Sequence, residues 1–186
     1  MKGISMADEQ KHTGPWKTFR FCPGCGAEGI AVRADRSVFC KQCGFHFYFN
    51  AAAAVAGLIE DDIGRLLMTV RAHDPAKGAL DLPGGFVDFD ETAEDALMRE
   101  VKEELSLEVK ECSYFKSFPN TYIYDNITMR TIDLAFICTV ESFESQRLSD
   151  EIKDVRFLNP LEISLDRIGF DSIRNIVSTY LRSRTA

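Results

Sequence analysis

The chain has 186 residues, 45% of them hydrophobic, and 22 Lys or Arg against 29 Asp or Glu give a formal net charge of −7. That length suits one ordinary domain with a small appendage, and the apolar fraction excludes global disorder. The acidic balance excludes broad electrostatic binding to nucleic acid but leaves room for a local basic patch, and it is compatible with a small anionic substrate where metal ions invert the local field.

Residues 1–15 are polar and read as a mobile leader lacking the apolar core of a secretory signal. The longest apolar run, Ala51 to Ile59, is far too short to span a bilayer. A cytoplasmic location without membrane partners is the expectation, and there the six cysteines are reduced or metal-bound rather than disulfide-paired.

Residues 16–49 form a unit dense in Cys, Gly and aromatics. Cys22-Pro-Gly-Cys25 and Cys40-Lys-Gln-Cys43 make two C-x2-C pairs with 14 residues between them. Each pair is followed by a glycine, Gly26 or Gly44, which lets the chain turn so that backbone amides face the thiolates. Four thiolates suit a closed, tetrahedral, structural Zn²⁺ site, and a unit this small needs a metal or a disulfide to hold it. Two disulfides, or four buried thiols, are the disfavoured alternatives. His46 stands outside the four-sulfur set. Trp16, Lys17, Phe19, Arg20 and Phe21 interleave rings with cations, as readers of single-stranded nucleic acid do, and Phe45, Phe47, Tyr48 and Phe49 add more rings. In a net-acidic chain the favoured reading is that these rings pack the ribbon against the main domain.

Residues 50–186 read as the main domain. Ala51–Ile59 and Arg65–Val70 are predicted strands, joined by the turn Glu60-Asp61-Asp62-Ile63-Gly64. Residues 71–84 are a predicted loop, Thr92–Leu105 a helix, Val109–Phe118 and Met129–Val140 strands, and Arg156–Leu158 a short strand. A closing helix starts at Ile168 or Phe170 and runs to Leu181, with Ile173, Ile176, Val177, Tyr180 and Leu181 at helical spacing. Strands mixed with two helices, without βαβ regularity, predict an α/β class of the α+β kind with α/β/α layering. Cys112 and Cys138 fall on apolar strands as buried thiols.

On the first helix, about 100° per residue puts Glu100, Glu103 and Glu104 on one arc, with Leu97, Met98, Val101 and Leu105 on the core face. Asp90 or Thr92 is the predicted cap. Clustered carboxylates repel, so a hard cation such as Mg²⁺ or Mn²⁺ among them is the simplest explanation. A solvated acidic face braced by Asp95–Arg99 is the alternative for the helix alone. The preceding Leu82-Pro83-Gly84-Gly85 turn favours the metal, because two glycines let a backbone carbonyl approach it.

The run Gly85-x5-Glu91-x7-Arg99-Glu100-Val101-x-Glu103-Glu104-x-Ser106-Leu107 resembles the Nudix box, matching its first glycine and every charged position. Its second glycine, where a left-handed residue is favoured after the helix, is Ser106 here. The resemblance implies a Nudix α/β/α sandwich with a mixed sheet over roughly residues 50–182. It implies hydrolysis of a pyrophosphate bond in a nucleoside diphosphate linked to another group. In that reading Glu100, Glu103, Glu104 and the Gly85 carbonyl hold Mg²⁺ or Mn²⁺, Arg99 orients the glutamates, and Glu91 pairs with Arg99. Glu103 or Glu104 is the candidate base, with Glu144, Asp150 and Glu151 as later acids.

A zinc ribbon before such a domain resembles the NADH pyrophosphatase arrangement. Of that group's downstream motif Ser117 and Pro119 match, so ADP-ribose stands beside NAD-like dinucleotides as the expected substrate. Phe118, Tyr122 and Tyr124 are candidate base-stacking rings, and Arg71, with Lys77, is a candidate phosphate contact. Removal of a nucleotide cap, of the NAD type, from RNA 5′ ends is one alternative. A non-catalytic nucleotide sensor that uses the ribbon as an interaction module is the other. A homo-oligomer is compatible with either.

Overall fold

The computed structural model describes residues 15–124 and 127–184, without the side chains of Lys17 and Tyr124. The leader read from residues 1–15 lies outside the described residues apart from Pro15. The chain divides into two units: residues through Ala51 with Thr121–Arg130, and Ala52–Asn120 with the residues from Thr131 onward.

In the first unit three short strands, β1 (Ala31–Val32), β2 (Ser37–Phe39) and β3 (His46–Tyr48), form an antiparallel sheet in the order β1-β2-β3. A 3-10 turn, Pro15–Thr18, precedes them. Its aromatic neighbours pack within the unit. Phe19 stacks on Phe47 at 6.5 Å, and Trp16 meets Phe49 edge-on at 5.9 Å.

The second unit is built on two three-stranded sheets. One has the order β4-β8-β7, from β4 (Ala52–Ile59), β8 (Ile127–Val140) and β7 (Val109–Tyr124). There β4 runs parallel to β8, Ala52 opposite Thr131 and Ile59 opposite Cys138. The other has the order β6-β5-β9, from β6 (Leu80–Asp81), β5 (Leu66–Arg71) and β9 (Ile152–Leu158), all antiparallel. Helices α1 (Ala93–Leu105) and α2 (Asp171–Ser183) complete it. Parallel and antiparallel pairs together make the mixed architecture expected from the sequence.

Side-chain alternation assigns the layers. Val55 and Ile59 of β4 and Leu67 of β5 join Ala96, Leu97, Val101 and Leu105 of α1 in one core. Their alternates Ala56, Leu58, Leu66, Met68 and Val70 join Ile173, Ile176, Val177 and Tyr180 of α2 in another. The strands are thus buried on both faces between two helices, which is why they read as continuous apolar runs.

Several elements differ from the sequence expectation. A strand, β6, forms inside the predicted 71–84 loop, paired through Thr69 opposite Asp81 and Val70 opposite Leu80. β7 and β8 extend well beyond Phe118 and before Met129, through a polar stretch that shows no apolar alternation. Pro119 is accommodated because β7 is an edge strand, where a missing N–H breaks no ladder. Ile168 lies outside α2 and bridges Leu80 instead.

Candidate active site

The site is assembled where α1 meets the turn leaving β6. Thr92 caps α1, its hydroxyl accepting from the Asp95 amide at 3.1 Å. The helix exits at Ser106 in the left-handed region, φ 55 and ψ 29, with its amide donating to the Lys102 carbonyl at 2.9 Å. Serine therefore adopts the conformation that the box glycine favours. Backbone bonds from Arg147 to Leu105 and from Ser149 to Glu104 tie the loop before β9 to the end of the helix.

Turn residues Pro83, Gly84 and Gly85 are stitched to β4. Gly57 N donates to Pro83 O and Val55 N to Gly85 O, both at 2.8 Å. Gly84 has φ +145, and a Cβ there would fall 2.1 Å from Val55 O. At Gly85 a Cβ would lie 2.4 Å from Glu100 Oε1. The Glu100 carboxylate thus occupies the space that any other residue at 85 would fill.

Arg99 organises the acids. Its Nε and Nη2 grip Glu91 in a fork at 3.1 and 2.7 Å, its Nη1 reaches Glu100 at 2.9 Å and Glu103 at 3.2 Å, and Nη2 also donates to Phe86 O. Asp95, the expected partner one turn earlier, bonds Thr92 instead. Glu91 also accepts from the Asp88 amide at 2.7 Å. Arg99 first, and then that amide, hold its carboxyl below the usual range.

Depth separates the three helix glutamates. Glu103 is largely exposed, Glu100 is mostly covered and Glu104 is buried. Glu104 accepts a 3.0 Å bond from Gly84 N. Burial, followed by the charges of Asp81, Glu100 and Glu151, outweighs that amide and pushes its carboxyl up to about 8. Burial also raises Glu100, against the pull of Arg99. Among the later acids, Glu151 is the one whose charge acts on both Glu100 and Glu104.

Asp81 is a buried acid that the sequence reading passed over. It accepts from Leu82 N at 2.9 Å and from Arg71 Nη1 at 3.0 Å, and burial raises it to about 6 despite Arg71. Its one signal was a carboxylate between Leu80 and Leu82. Arg71, the candidate phosphate contact, is committed here. Its Nε donates to Pro75 O at 2.8 Å and its guanidinium lies 5.0 Å from the centre of the Phe170 ring. Of the candidate stacking rings, Phe118 packs against the α2-side core and Tyr122 is half-buried. The Tyr124 side chain lies outside the described residues.

The four ribbon cysteines converge. Cys22 and Cys43 sulfurs are 3.6 Å apart, those of Cys25 and Cys40 are 3.7 Å apart, and all four lie within 4.8 Å of one another. Among the described residues this is the one such gathering of His, Cys, Asp or Glu ligand atoms, whereas the glutamates are spread around Arg99. Gly26 and Gly44, at φ 72 and 77, close two equivalent turns through bonds to Cys22 O and Cys40 O. His46 lies outside the cluster.

The NUDIX domain family model matches residues 50–178. The chain belongs to the Nudix family. An ADP-ribose pyrophosphatase of Methanocaldococcus jannaschii is 34% identical over 140 residues, covering 74% of this chain and 78% of its own. The NAD-capped RNA hydrolase NudC of Pseudomonas putida is 27% identical over 177 residues, covering 92% of this chain but 60% of its own length. The chain thus spans less than two thirds of that relative's length. Among solved structures, a NUDIX hydrolase from Nitrosomonas europaea superimposes with a TM-score of 0.69 at 23% identity, covering 90% of this chain and 93% of its own. The NUDIX domain of Shewanella oneidensis NrtR, complexed with ADP ribose, follows with a TM-score of 0.60 at 18% identity, covering 75% of this chain and 91% of its own. At those identities the two structures establish the Nudix fold. No helix among the described residues is long and apolar enough to cross a membrane.

Proposed function

We propose that this Nudix protein hydrolyses the pyrophosphate bond of a nucleoside diphosphate linked to another group, with ADP-ribose and NAD-like dinucleotides as the first substrates to test. The observation that carries this reading is Arg99 gripping Glu91 in a fork while reaching Glu100 and Glu103, beside Glu104 buried under the Gly84 amide. The likeness to an ADP-ribose pyrophosphatase over 74% of the chain supports the substrate class.

Glu100, Glu103, Glu104 and the Gly85 carbonyl would supply an all-oxygen donor set, the chemistry that Mg²⁺ or Mn²⁺ takes. Burial and like charge raise Glu100 and Glu104, a cost that a cation would relieve. The Gly85 carbonyl uses one lone pair on Val55 N and keeps another. Such an ion, when bound, neutralises the diphosphate and lowers the pKa of water at the reacting phosphorus. The chain's own part is to place the carboxylates. Arg99 fixes Glu100 and Glu103, Glu91 fixes Arg99, and the Gly84 amide fixes Glu104. A carboxylate then takes the proton of the attacking water, with Glu103, Glu104 and Glu151 as the candidates. The four ribbon thiols fit structural Zn²⁺, since a tetrahedron with Zn–S of roughly 2.3 Å has edges of roughly 3.8 Å, close to the 3.6 and 3.7 Å observed.

Removal of an NAD cap from RNA is the second reading, favoured by the likeness to NAD-capped RNA hydrolases across 92% of the chain, ribbon included. The intact acidic set speaks for turnover over a purely sensing role. The test is phosphate release through a coupled phosphatase from a panel of nucleoside diphosphate derivatives and NAD-capped RNA, with and without Mg²⁺ or Mn²⁺. Metal-dependent turnover of one class, lost in Glu104→Gln, is the expected result. Absence of turnover of every member by the folded protein would overturn the hydrolase reading.

A further inference from the structure

The ribbon sheet has two dissimilar faces. Its register sets Val32, Val38 and Phe47 on one side and Ala31, Phe39, Ser37, His46 and Tyr48 on the other. The first side carries the phenylalanine cluster over buried Val38, where Phe47 lies nearly parallel to both Phe19 and Phe45 with Phe49 edge-on at 5.2 Å. The second side is a continuous row of flat groups. The Arg33 guanidinium sits 4.2 Å above Phe39, Phe39 meets His46 edge-on at 5.7 Å, and His46 lies 4.5 Å from Tyr48. Arg33 and His46 are exposed, and Tyr48 is 52% exposed.

The orientation of this row is held from beneath. Ser37, fully buried, donates its one hydroxyl proton to Asp35 at 2.6 Å and so accepts from His46 Nε2 at 2.8 Å. A buried serine and an acid are thereby spent on fixing the plane of an exposed ring. The family model begins after this sheet, at residue 50.

Charge is distributed unevenly in the same sense. Residues 16–49 hold five Lys or Arg (Lys17, Arg20, Arg33, Arg36, Lys41) against Glu28 and Asp35, a balance of +3 within a chain of −7, so the remainder carries −10. Four thiolates around a divalent ion would add −2, and the ribbon would still be positive on an acidic protein. Arg33 and Arg36 both belong to the turn between β1 and β2, at the end of the ring-bearing face.

We propose that this face of the ribbon binds single-stranded nucleic acid, with bases stacking on the exposed Tyr48 and His46 rings and phosphates meeting Arg33, held over Phe39, and Arg36. Every base has a flat face, so such a platform tolerates sequence while selecting unpaired strands. The inference goes beyond the hydrolase reading and stands without it, because binding is measured without turnover. The experiment is fluorescence anisotropy on the full chain with its ribbon metal retained, using a short labelled RNA strand, the DNA strand of the same sequence, and their duplexes. Saturable, salt-sensitive binding of a single strand in preference to duplex is expected, and the RNA and DNA arms assign which strand is the ligand. Loss of one stacked base in Tyr48→Ala weakens it by about 5- to 150-fold, while Tyr48→Phe retains it. Arg33→Gln weakens binding and lowers the log–log salt slope by about 0.7. Both sites are exposed, and metal content and melting verify that each variant is folded. No saturable single-strand binding at low salt, equal or tighter binding of duplex, or single-strand binding that neither variant weakens would each overturn the proposal.

Discussion

Gly85→Ala separates the site's chemistry from its scaffold. The added carbon would sit 2.4, 2.6 and 2.8 Å from Glu100 Oε1, Cδ and Oε2, whereas ordinary contact begins near 3.4 Å. Gly85 is not among the residues with positive φ, so alanine is not excluded by the backbone. The atoms that must yield are the end of a flexible side chain, and Glu100 must retreat by about 1 Å to restore contact distance. That retreat breaks its 2.9 Å bond to Arg99 and shifts one of the proposed metal ligands. A displacement of about 1 Å at a reacting centre costs on the order of 10²-fold in rate. Turnover with Mg²⁺ should therefore fall by about two orders of magnitude, while the melting temperature changes little. Gly84→Ala is the contrasting control. There the carbon meets backbone at 2.1 Å, and φ +145 disfavours any side chain, so folding itself should suffer. Turnover in Gly85→Ala close to that of the unaltered chain would refute the assignment of Glu100 to the reacting centre. A melting loss equal to that of Gly84→Ala would refute the claim that only a side chain has to move.

Ser106→Gly should stabilise the protein without altering turnover. A left-handed serine costs roughly 1–2 kcal/mol, the freedom of glycine in the unfolded chain takes back roughly half, and the remainder raises the melting point by roughly 2 °C. A lower melting point would mean that the Ser106 side chain contributes more than its conformation costs. Glu104, raised to about 8 from 4.5, makes the native state hold a proton that the unfolded chain has released between those values. Without added Mg²⁺ or Mn²⁺, that stabilisation is present below pH 4.5 and is lost as pH rises through about 8. Melting scans from pH 5 to 9 should therefore show a downward slope that Glu104→Gln flattens and added Mg²⁺ opposes; an identical slope in the variant would remove Glu104 as its source.

What could be read from the sequence was what depends on neighbours along the chain. The C-x2-C spacing forecast a four-sulfur cluster because each pair is a local turn closed by its own glycine, and the structure brings all four sulfurs within 4.8 Å. The cap at Thr92 and the positions of Leu97, Val101 and Leu105 in the core were legible for the same reason. A helical wheel gives azimuth but not depth. It placed Glu103 and Glu104 on one arc, and only the turn from β6 arriving over the helix buries Glu104 while Glu103 stays in water. It also placed Met98 in the core, and Met98 is 37% exposed.

Asp81 and the second face of the ribbon were hidden for a different reason. Both depend on strand register, which two- or three-residue strands do not announce through periodicity. Read along the chain, Asp81 is one acid in a loop and Arg71 one cation at the loop's start. The pairing of Thr69 with Asp81 and of Val70 with Leu80 sets β6 beside β5, where Arg71 and Asp81 meet at 3.0 Å. His46 shows the same limit. Its spacing from the cysteines says that it is not needed for the metal, and says nothing of what it faces. The pairings of Phe39 with His46 and of Ser37 with Tyr48 turn that bystander into the middle of a row of rings, itself and Tyr48 exposed and Phe39 half-buried. A residue that local spacing leaves unexplained is thus the place to ask what the register puts beside it. Here the answer is a flat surface ending in arginine, on the positive part of an acidic chain.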